Sequence, residues 1–473
     1  MGFKEYDQYD ALGLADLVKR GEVSPMKLLD EAVARTEAAG ALNAVVVKHY
    51  DFARAQIERG LPDGPFRGVP FLLKDLNLLE GTRTTFGSSL SADYVALYSH
   101  TITERYLAAG LTIFGKSASP EFGLVPTTEP RLHGPCRNPW DLSRSAGGSS
   151  GGAAAAVAAR VVPIAHATDG GGSIRIPASA CGLFGLKPTR ARTPSGPDRG
   201  AGWGGFSVGH AVSVSVRDSA ALLDATQGAE ATSPYHAPPP ERPYSQEVGR
   251  DPGRLRIAFT DRDPYGEAID GQVAEAVRAA ARLCEGLGHL VEERAPRLPH
   301  DPAAIINAIV SSHTALTRRL AERERGRAIT EDDFERLTLA SAGSGRKRSA
   351  ADYAEAELAA FEVSRVLALF FGDVDVFLSP TLCLPPVPIG AIDTMAEDLS
   401  GIGPLFRRYI PGTSLFNMSG QPAMSVPLAW SRENLPLGMM FAARFGDEAT
   451  LFRLAGQLEQ AQPWKDRRPP ICA

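Results

Sequence analysis

The stretch HATDGGGSIRIPASACGLFGLKPT, residues 166–189, contains three consecutive glycines that end at Ser173. Glycine adopts backbone conformations that are closed to other residues, so successive N–H groups in such a run can point inward. Several N–H groups directed at one point form an anion cradle or an oxyanion hole. The spacing alone leaves two interpretations open: a tight turn with a capping serine, or a catalytic site in which Ser173 lies beside a bound carbonyl group.

A second glycine-rich stretch, SAGGSSGGAAAAVAAR, lies upstream at residues 145–160. Its GGSSG segment matches the G-x-S-x-G pattern of the nucleophile elbow, which requires a buried strand immediately before the serine. The preceding residues, RNPWDLSRSA, are polar and interrupted by Pro139. We therefore reject the elbow, although the alanine run that follows favours a helix.

A third motif, GLTIFGKS at residues 110–117, matches the Walker A pattern. That motif needs a loop whose N–H groups surround phosphates. Here Leu-Thr-Ile-Phe is typical of a strand, and Pro120 follows where the helix of a phosphate-binding loop should begin. We therefore do not predict ATP binding.

Helix and strand signals alternate along the chain, which predicts an α/β fold. The clearest helix is EVSPMKLLDEAVARTEAAG, residues 22–40, with Ser24 as its N-cap, Pro25 in the first position and Gly40 at its end. Residues 189–210 are rich in glycine without a period and predict a long loop, which in compact domains is often functional.

Composition excludes several classes of function. The chain has 473 residues, of which 44% are hydrophobic and 22% are charged. Its net charge of −5 gives no bulk attraction to nucleic acid or to an anionic membrane. No apolar run reaches the roughly 18–20 residues that span a bilayer, and the N-terminus is unlike a signal peptide. We expect a cytoplasmic protein with reduced cysteines and no metal or cofactor.

Three motifs taken together are more specific than any one of them. Lys74 in GVPFLLKD, Ser149 in GGSSGG and Ser173 in TDGGGSIRIP resemble the amidase signature family in order and spacing. The resemblance extends from about Leu14 to Trp464 and includes GEVSPMKLLDEAVARTE, GKSASPEFG, RNPWDLSRSAGGSSGG, CGLFGLKPT, VDVFLSPT and FNMSGQPAMSVP.

The resemblance implies one large α/β domain over residues 1–473, with a central mixed, twisted β-sheet covered by helices on both faces. Its signature core would occupy about residues 66–215 and a helical region about residues 270–372. A C-terminal part, about residues 374–473, would complete the sheet.

The resemblance also implies a Ser-cisSer-Lys triad of Lys74, Ser149 and the nucleophile Ser173. Backbone N–H groups would form the oxyanion hole, and three further side chains would support the site through hydrogen bonds. The predicted oxyanion residues are Gly170, Gly171, Gly172 and Ser173, and the supporting residues are Ser150, Asp169 and Arg175.

Such a triad is chemically reasonable because a serine hydroxyl needs a base, and a neutral lysine can be that base. Free lysine titrates near pH 10.4, so neutrality at pH 7 requires a pKa lowered by about 3 units, or roughly 4 kcal/mol. Burial in FLLKDLNLL would supply this. The alternative for Lys74 is an ordinary salt bridge with Asp75 or another acid.

Other residues near these motifs have simpler interpretations. His166 is expected to be a packed core histidine. The loop around Trp203 and Phe206 is a candidate cover for the site, and an aromatic residue in a loop often only packs locally. The resemblance places the segment of Phe122 and Gly123 near bound substrate.

The family resemblance indicates a reaction class and leaves the substrate open. Its members hydrolyse fatty-acid, aryl and aliphatic amides, carbamates, peptide amides and nylon oligomers. The segments GPFRGVPFLLKDL, TTEPRLHGPCRNPW and LKPTRAR are similar to members that act on nylon oligomers and to related broad-specificity amidases and urethanases. We therefore predict hydrolysis of small, fairly apolar amides by a monomer or homodimer. The alternatives are the glutaminase A subunit of a tRNA-dependent amidotransferase, or a non-catalytic scaffold.

Overall fold

The computed structural model describes residues 3 and 5–473, which form thirteen β-strands and fourteen α-helices. The strands are β1 Val45–Lys48, β2 Pro70–Lys74, β3 Thr112–Ser117, β4 Arg137–Asn138, β5 Asp141–Ser145, β6 Ile164–Asp169, β7 Phe184–Lys187, β8 Val208–Ser213, β9 Arg256–Phe259, β10 Leu290–Glu293, β11 Val376–Pro380, β12 Ala423–Trp430 and β13 Pro436–Ala443. The helices are α1 Ala11–Lys19, α2 Pro25–Ala38, α3 Tyr50–Glu58, α4 Thr101–Ala108, α5 Gly151–Ala158, α6 Arg175–Cys181, α7 Val216–Thr226, α8 Gly271–Gly286, α9 Pro302–Arg325, α10 Arg336–Arg346, α11 Ala350–Asp373, α12 Ile402–Tyr409, α13 Leu415–Met418 and α14 Glu448–Ala461.

The central sheet has eight strands in the order β10-β9-β11-β13-β12-β7-β8-β6. Strand β9 is parallel to β10 and β11, and the other neighbours are antiparallel, so the sheet is mixed. A smaller sheet has the order β1-β3-β2. The two sheets meet at β2 and β6, where the N–H of Lys74 donates a hydrogen bond to Nδ1 of His166 (3.2 Å).

Helices cover both faces of the central sheet. Successive residues of a strand point to opposite sides of a sheet, and here the residues on each side are apolar and pack against helices. In β13, Met439 and Phe441 pack in one cluster with helices α7, α8 and α14. Met440 and Ala442 pack in another cluster with helices α9, α11 and α13. The predicted α/β fold with a mixed, two-sided sheet is therefore confirmed.

The core beside the smaller sheet contains helix α5, which is composed of glycine, alanine and one valine. All eight of its residues are buried, and its alanines and valine pack in one cluster with residues of β2, β3 and β6. Small side chains let the helix axis lie close to neighbouring backbones, which fixes the loop before α5 against the ends of these strands. That loop contains Ser149.

Several local predictions are confirmed. Helix α2 begins at Pro25, and the Ser24 hydroxyl accepts a hydrogen bond from the Lys27 N–H (3.2 Å). The helix ends at Ala38, two residues before Gly40. The Walker-like segment contains strand β3, as its composition indicated.

A short strand precedes the GGSSG segment, because residues Asp141–Ser145 form β5. It pairs only with the two residues of β4 and is largely half-buried, so it is not the buried strand that an elbow requires, and the rejection of the elbow stands.

One local prediction is wrong. The predicted loop 189–210 is too long, because β8 already begins at Val208, where it pairs with Asp169.

Within the described residues, no helix combines the length and apolar character needed to cross a membrane. All five cysteines are free thiols; Cys472 is exposed and the other four are buried.

Candidate active site

A cavity of about 130 Å³ opens where the ends of β2 and β6 meet the loop before α5. Its lining contains Ser149 from that loop and Thr168 from β6. Gly170 and Ser173, from the glycine run after β6, line it as well. The fold therefore brings the two glycine-rich stretches of the sequence to one site.

Lys74 is the last residue of β2 and is completely buried. Its Nζ lies 2.8 Å from the Ser149 hydroxyl and 2.9 Å from the Thr168 hydroxyl. Burial lowers the pKa of Lys74 to about 7, although the charge of Asp169 opposes this shift. A substantial fraction of neutral amine is therefore present at neutral pH.

Asp75 does not pair with Lys74. Its carboxylate accepts hydrogen bonds from the N–H of Thr85 (2.9 Å) and from the Thr85 hydroxyl. Lys74 instead contacts hydroxyl groups, which can both donate and accept hydrogen bonds. The salt-bridge alternative between these neighbours does not describe the structure.

Ser149 follows a cis peptide bond after Gly148. The next residue, Ser150, is buried and contacts the backbone of Thr168: its hydroxyl lies 3.3 Å from both the N–H and the C=O. Ser150 therefore fixes the end of β6 beside Lys74. The supporting role that the resemblance implies for Ser150 stays a prediction.

Asp169 and Arg175 form a fully buried ion pair behind the glycine run. The guanidinium donates two hydrogen bonds to the carboxylate, from Nε to Oδ2 and from Nη2 to Oδ1, both 2.9 Å long. Burial alone would raise the pKa of Asp169, but the charge and hydrogen bonds of Arg175 hold it at about 2. The carboxylate thus stays ionised and can accept further N–H groups.

Those further donors correct the predicted oxyanion hole. The N–H of Gly172 donates to Asp169 Oδ1 (2.7 Å), and the N–H of Ile174 donates to Oδ2 (3.1 Å). Gly172 has a single amide hydrogen, so its N–H is not free to bind an oxyanion. In the part of the chain that the structure describes, the N–H groups of Gly170, Gly171 and Ser173 form no hydrogen bond.

The Ser173 side chain lines the cavity together with Ser149. Among residues 3 and 5–473, no group forms a hydrogen bond with the Ser173 hydroxyl, and the residue is half-buried. A hydroxyl without a protein partner at a cavity wall is open to a ligand. The assignment of Ser173 as the nucleophile, which the resemblance implies, stays a prediction.

Three contacting residues were missed by sequence reasoning. Thr168 binds Lys74, although it directly precedes Asp169 in the opening stretch. The Thr413 hydroxyl donates to the C=O of Gly171 (2.6 Å), and Asn417 donates to Asp169 Oδ1 (2.8 Å). The available signal was FNMSGQPAMSVP, which contains Asn417 and resembles the family.

Aromatic and glycine residues form the cavity walls. The Trp203 ring lies directly on Gly170, where a Cβ atom would come within 2.7 Å of it. Phe122 and Gly123 line the cavity from the opposite segment, and a Cβ on Gly123 would lie 3.0 Å from the Ser149 Oγ. Phe206, by contrast, is buried in a core cluster with α9 and α11, so only Trp203 of the two aromatic residues lines the cavity.

His166 is completely buried, as predicted for a core histidine. Its ring packs on Tyr106, with the ring centroids 5.5 Å apart, and burial lowers its pKa well below the usual value. It contacts Lys74 only through the backbone N–H, so it supports β2 without acting on the lysine amine.

The site combines a buried lysine that contacts two hydroxyl groups, a second serine in the same cavity, and backbone N–H groups near that serine that form no hydrogen bond among the described residues. The family model named Amidase matches residues 27–452. The protein is a hydrolase of carbon–nitrogen bonds and belongs to the amidase family.

Individual relatives are similar to this chain in sequence or in structure over nearly its whole length. The 6-aminohexanoate-cyclic-dimer hydrolase of Pseudomonas sp. (strain NK87) is 37% identical over 487 residues, covering 98% of this chain and 96% of that protein. A solved structure of 6-aminohexanoate cyclic dimer hydrolase has a TM-score of 0.93 at 35% identity, covering 98% of this chain and 99% of that one. A bacterial aryl acylamidase has a TM-score of 0.88 at 26% identity, with 96% of each chain covered.

Proposed function

We propose that the protein hydrolyses small, fairly apolar amides through an acyl-enzyme on Ser173. The observation that supports this most directly is the 2.8 Å contact between Lys74 Nζ and the Ser149 hydroxyl, in the cavity that Ser173 also lines. A hydroxyl between a base and a nucleophile can accept one proton while it donates another.

In the proposed reaction, neutral Lys74 takes the proton of Ser149 as Ser149 takes the proton of Ser173. The Ser173 oxygen then attacks the amide carbonyl, and the oxygen of the tetrahedral intermediate accepts hydrogen bonds from free N–H groups of the glycine run. The ammonium of Lys74 returns its proton through Ser149 to the leaving amine. Water, activated by the same pair, hydrolyses the acyl-enzyme and releases the carboxylic acid.

The relatives guide the choice of substrates. One is named for the 6-aminohexanoate cyclic dimer and another for aryl acylamides. Leu76, Phe122 and Trp203 give this cavity an apolar wall. We therefore propose cyclic and linear nylon-type amides, anilides and simple urethanes as substrates, cleaved in the cytoplasm by the chain acting as one amidase domain.

The test compares wild type with Ser173→Ala on a panel of anilides, aliphatic amides, carbamates and the 6-aminohexanoate cyclic dimer. A fluorophosphonate should label wild type and fail to label Ser173→Ala. Ser207→Ala is the matched control, because Ser207 lines the same cavity but has no lysine partner, and it should keep the label. Full amidase activity in Ser173→Ala would refute the mechanism.

The same panel separates the amidotransferase alternative. An A subunit would release ammonia from glutamine and would purify with partner subunits. Efficient hydrolysis of anilides or cyclic amides by the isolated chain, with no glutaminase activity, supports the proposed function instead.

A further inference from the structure

Within the described part of the chain, the lining of the active-site cavity contains one strongly charged side chain, a cation, and the acid that faces it, Asp198, lies outside the lining. Among the described residues that line it, Arg199 is the only lysine, arginine, aspartate or glutamate. The remaining lining consists of apolar and uncharged polar residues together with His100, whose ring nitrogen faces Asp198. A single cation at the rim of a narrow cavity attracts anionic ligands.

The backbone that leads to Arg199 is held in place. The N–H groups of Ser195 and Gly196 donate to the Glu230 carboxylate, at 3.1 and 2.6 Å. The C=O of Gly196 accepts a hydrogen bond from the N–H of Thr101, at the start of α4 (2.9 Å). These hydrogen bonds hold residues 195 and 196 against Glu230 and the start of α4. The backbone that precedes Arg199 therefore has a defined position beside the cavity.

The guanidinium of Arg199 has a single charged neighbour among the described residues. Its Nε lies 3.6 Å from Asp198 Oδ2, and its side chain is 59% exposed. Asp198 is held on its other side by His100, whose Nε2 lies 3.4 Å from Oδ1. Within residues 3 and 5–473 no hydrogen bond is formed by the two terminal nitrogens of Arg199, so they remain available to a ligand.

We infer that Arg199 makes this site selective for amides whose apolar body ends in a carboxylate, an inference that rests on the proposed function. The apolar part would contact Leu76, Phe122 and Trp203, and the carboxylate would receive the paired N–H groups of the guanidinium. Neutral amides of the same size would lose this contact. The chemical class is therefore acyl-amino acids, dicarboxylic monoamides and linear oligomers with a free acid end.

The experiment measures kcat/KM for three matched substrates: neutral butyranilide, glutaranilic acid with a carboxylate on the acyl side, and 4-butyramidobenzoate with a carboxylate on the amine side. Arg199→Gln keeps a polar side chain but shortens it and removes the charge. We expect it to lower the ratio of kcat/KM for at least one acid to that for butyranilide about five- to tenfold, mainly through KM. High salt should reduce the same ratio in wild type.

Arg67→Gln is the matched control, because Arg67 is 50% exposed and lies 4.0 Å from a single acid, Asp63, outside the cavity. It should leave the ratio unchanged. An unchanged ratio in Arg199→Gln, or an equal fall in Arg67→Gln, overturns this inference and leaves the proposed function intact. A wild-type protein that cleaves nothing in the whole panel fails the proposed function, and this inference fails with it.

Discussion

Two buried lysines on neighbouring strands have similarly lowered pKa values and different hydrogen-bond partners. Strands β2 and β3 are parallel, with Leu73 opposite Lys116 and Lys74 opposite Ser117. The side chains of Lys74 and Lys116 therefore point to opposite faces of the sheet. Both are completely buried, and burial lowers the pKa of each to about 7.

The difference lies in what each amine touches. Lys74 contacts the hydroxyls of Ser149 and Thr168, whereas the Nζ of Lys116 donates to the backbone C=O of Asn77. A carbonyl oxygen only accepts, so it cannot deliver a proton to a neutral amine, whereas a hydroxyl can do so. A lowered pKa thus makes a lysine able to act as a base, and only a hydroxyl partner makes it part of a proton path.

Replacing each lysine by methionine tests this comparison with the largest expected effect. Lys74→Met should lower kcat/KM about a thousandfold or more, because the base for the nucleophile is lost. Lys116→Met removes an equally buried amine and should cost less than about tenfold in kcat/KM, since it leaves the base in place. Melting temperatures of both variants show whether each protein is folded. Comparable losses of activity in two folded variants would contradict the comparison.

Removing the Ser149 hydroxyl, which we propose relays the proton between Lys74 and Ser173, should have the next largest effect. Ser149→Ala should lower kcat about a hundredfold or more, because Lys74 then has no route to Ser173. Ser117→Ala is the control on the same face of the sheet. The Ser117 hydroxyl is buried and has no hydrogen-bond partner among the described residues. Its loss should have little effect on kcat, and the relay would be disproved by a Ser149→Ala enzyme as active as this control.

The dependence of kcat/KM on pH should report the pKa of Lys74. In the proposed mechanism the neutral amine is the active form, and the pKa of Lys74 is about 7, so kcat/KM should fall about tenfold per pH unit below that value. Thr168→Val removes an acceptor of the ammonium form, which lowers the pKa further and moves the acid limb to lower pH. The measurement is kcat/KM from pH 5 to 9 for both proteins. An acid limb that moves to higher pH in the variant would assign Thr168 another role.

The smallest effect concerns stability, which both lysines should influence. The folded pKa of Lys116, about 7, lies below the unfolded value near 10.4, so the unfolded state binds more protons between these values. The free energy of unfolding of wild type, relative to Lys116→Met, should therefore rise with pH from about 7 to about 10, by at most about 1.4 kcal/mol per pH unit. Urea unfolding at pH 7, 8 and 9 measures this difference. A difference that is flat or falls with pH would mean that Lys116 stays charged in the folded protein.

The features that could be predicted from the sequence are those determined by residues close together along the chain. The start of α2 follows from Ser24 and Pro25, and strand β3 follows from its β-forming residues, because both signals are local. The glycine run after β6 indicated a cluster of N–H groups for the same reason. The triad itself came from the resemblance to a family, and its assignment to Ser173 remains a prediction.

The contacts that refine the site lie far apart along the chain. Asn417 and Thr413 reach the glycine run from more than two hundred residues away, and no periodicity encodes such a meeting. The capture of the Gly172 N–H by Asp169 depends on the direction of a single backbone bond, which composition does not reveal. Strand β5 is polar and short, so pairing with β4, rather than its own sequence, makes it a strand.

The contact between Trp203 and Gly170 also limits how this enzyme can be re-engineered. A methyl group at position 170 would come within 2.7 Å of the indole, so the glycine is fixed for as long as the tryptophan remains. A smaller residue at 203 would both enlarge the cavity and release position 170 from that restriction. A library that varies the two positions together therefore reaches active-site shapes that mutating either position alone does not.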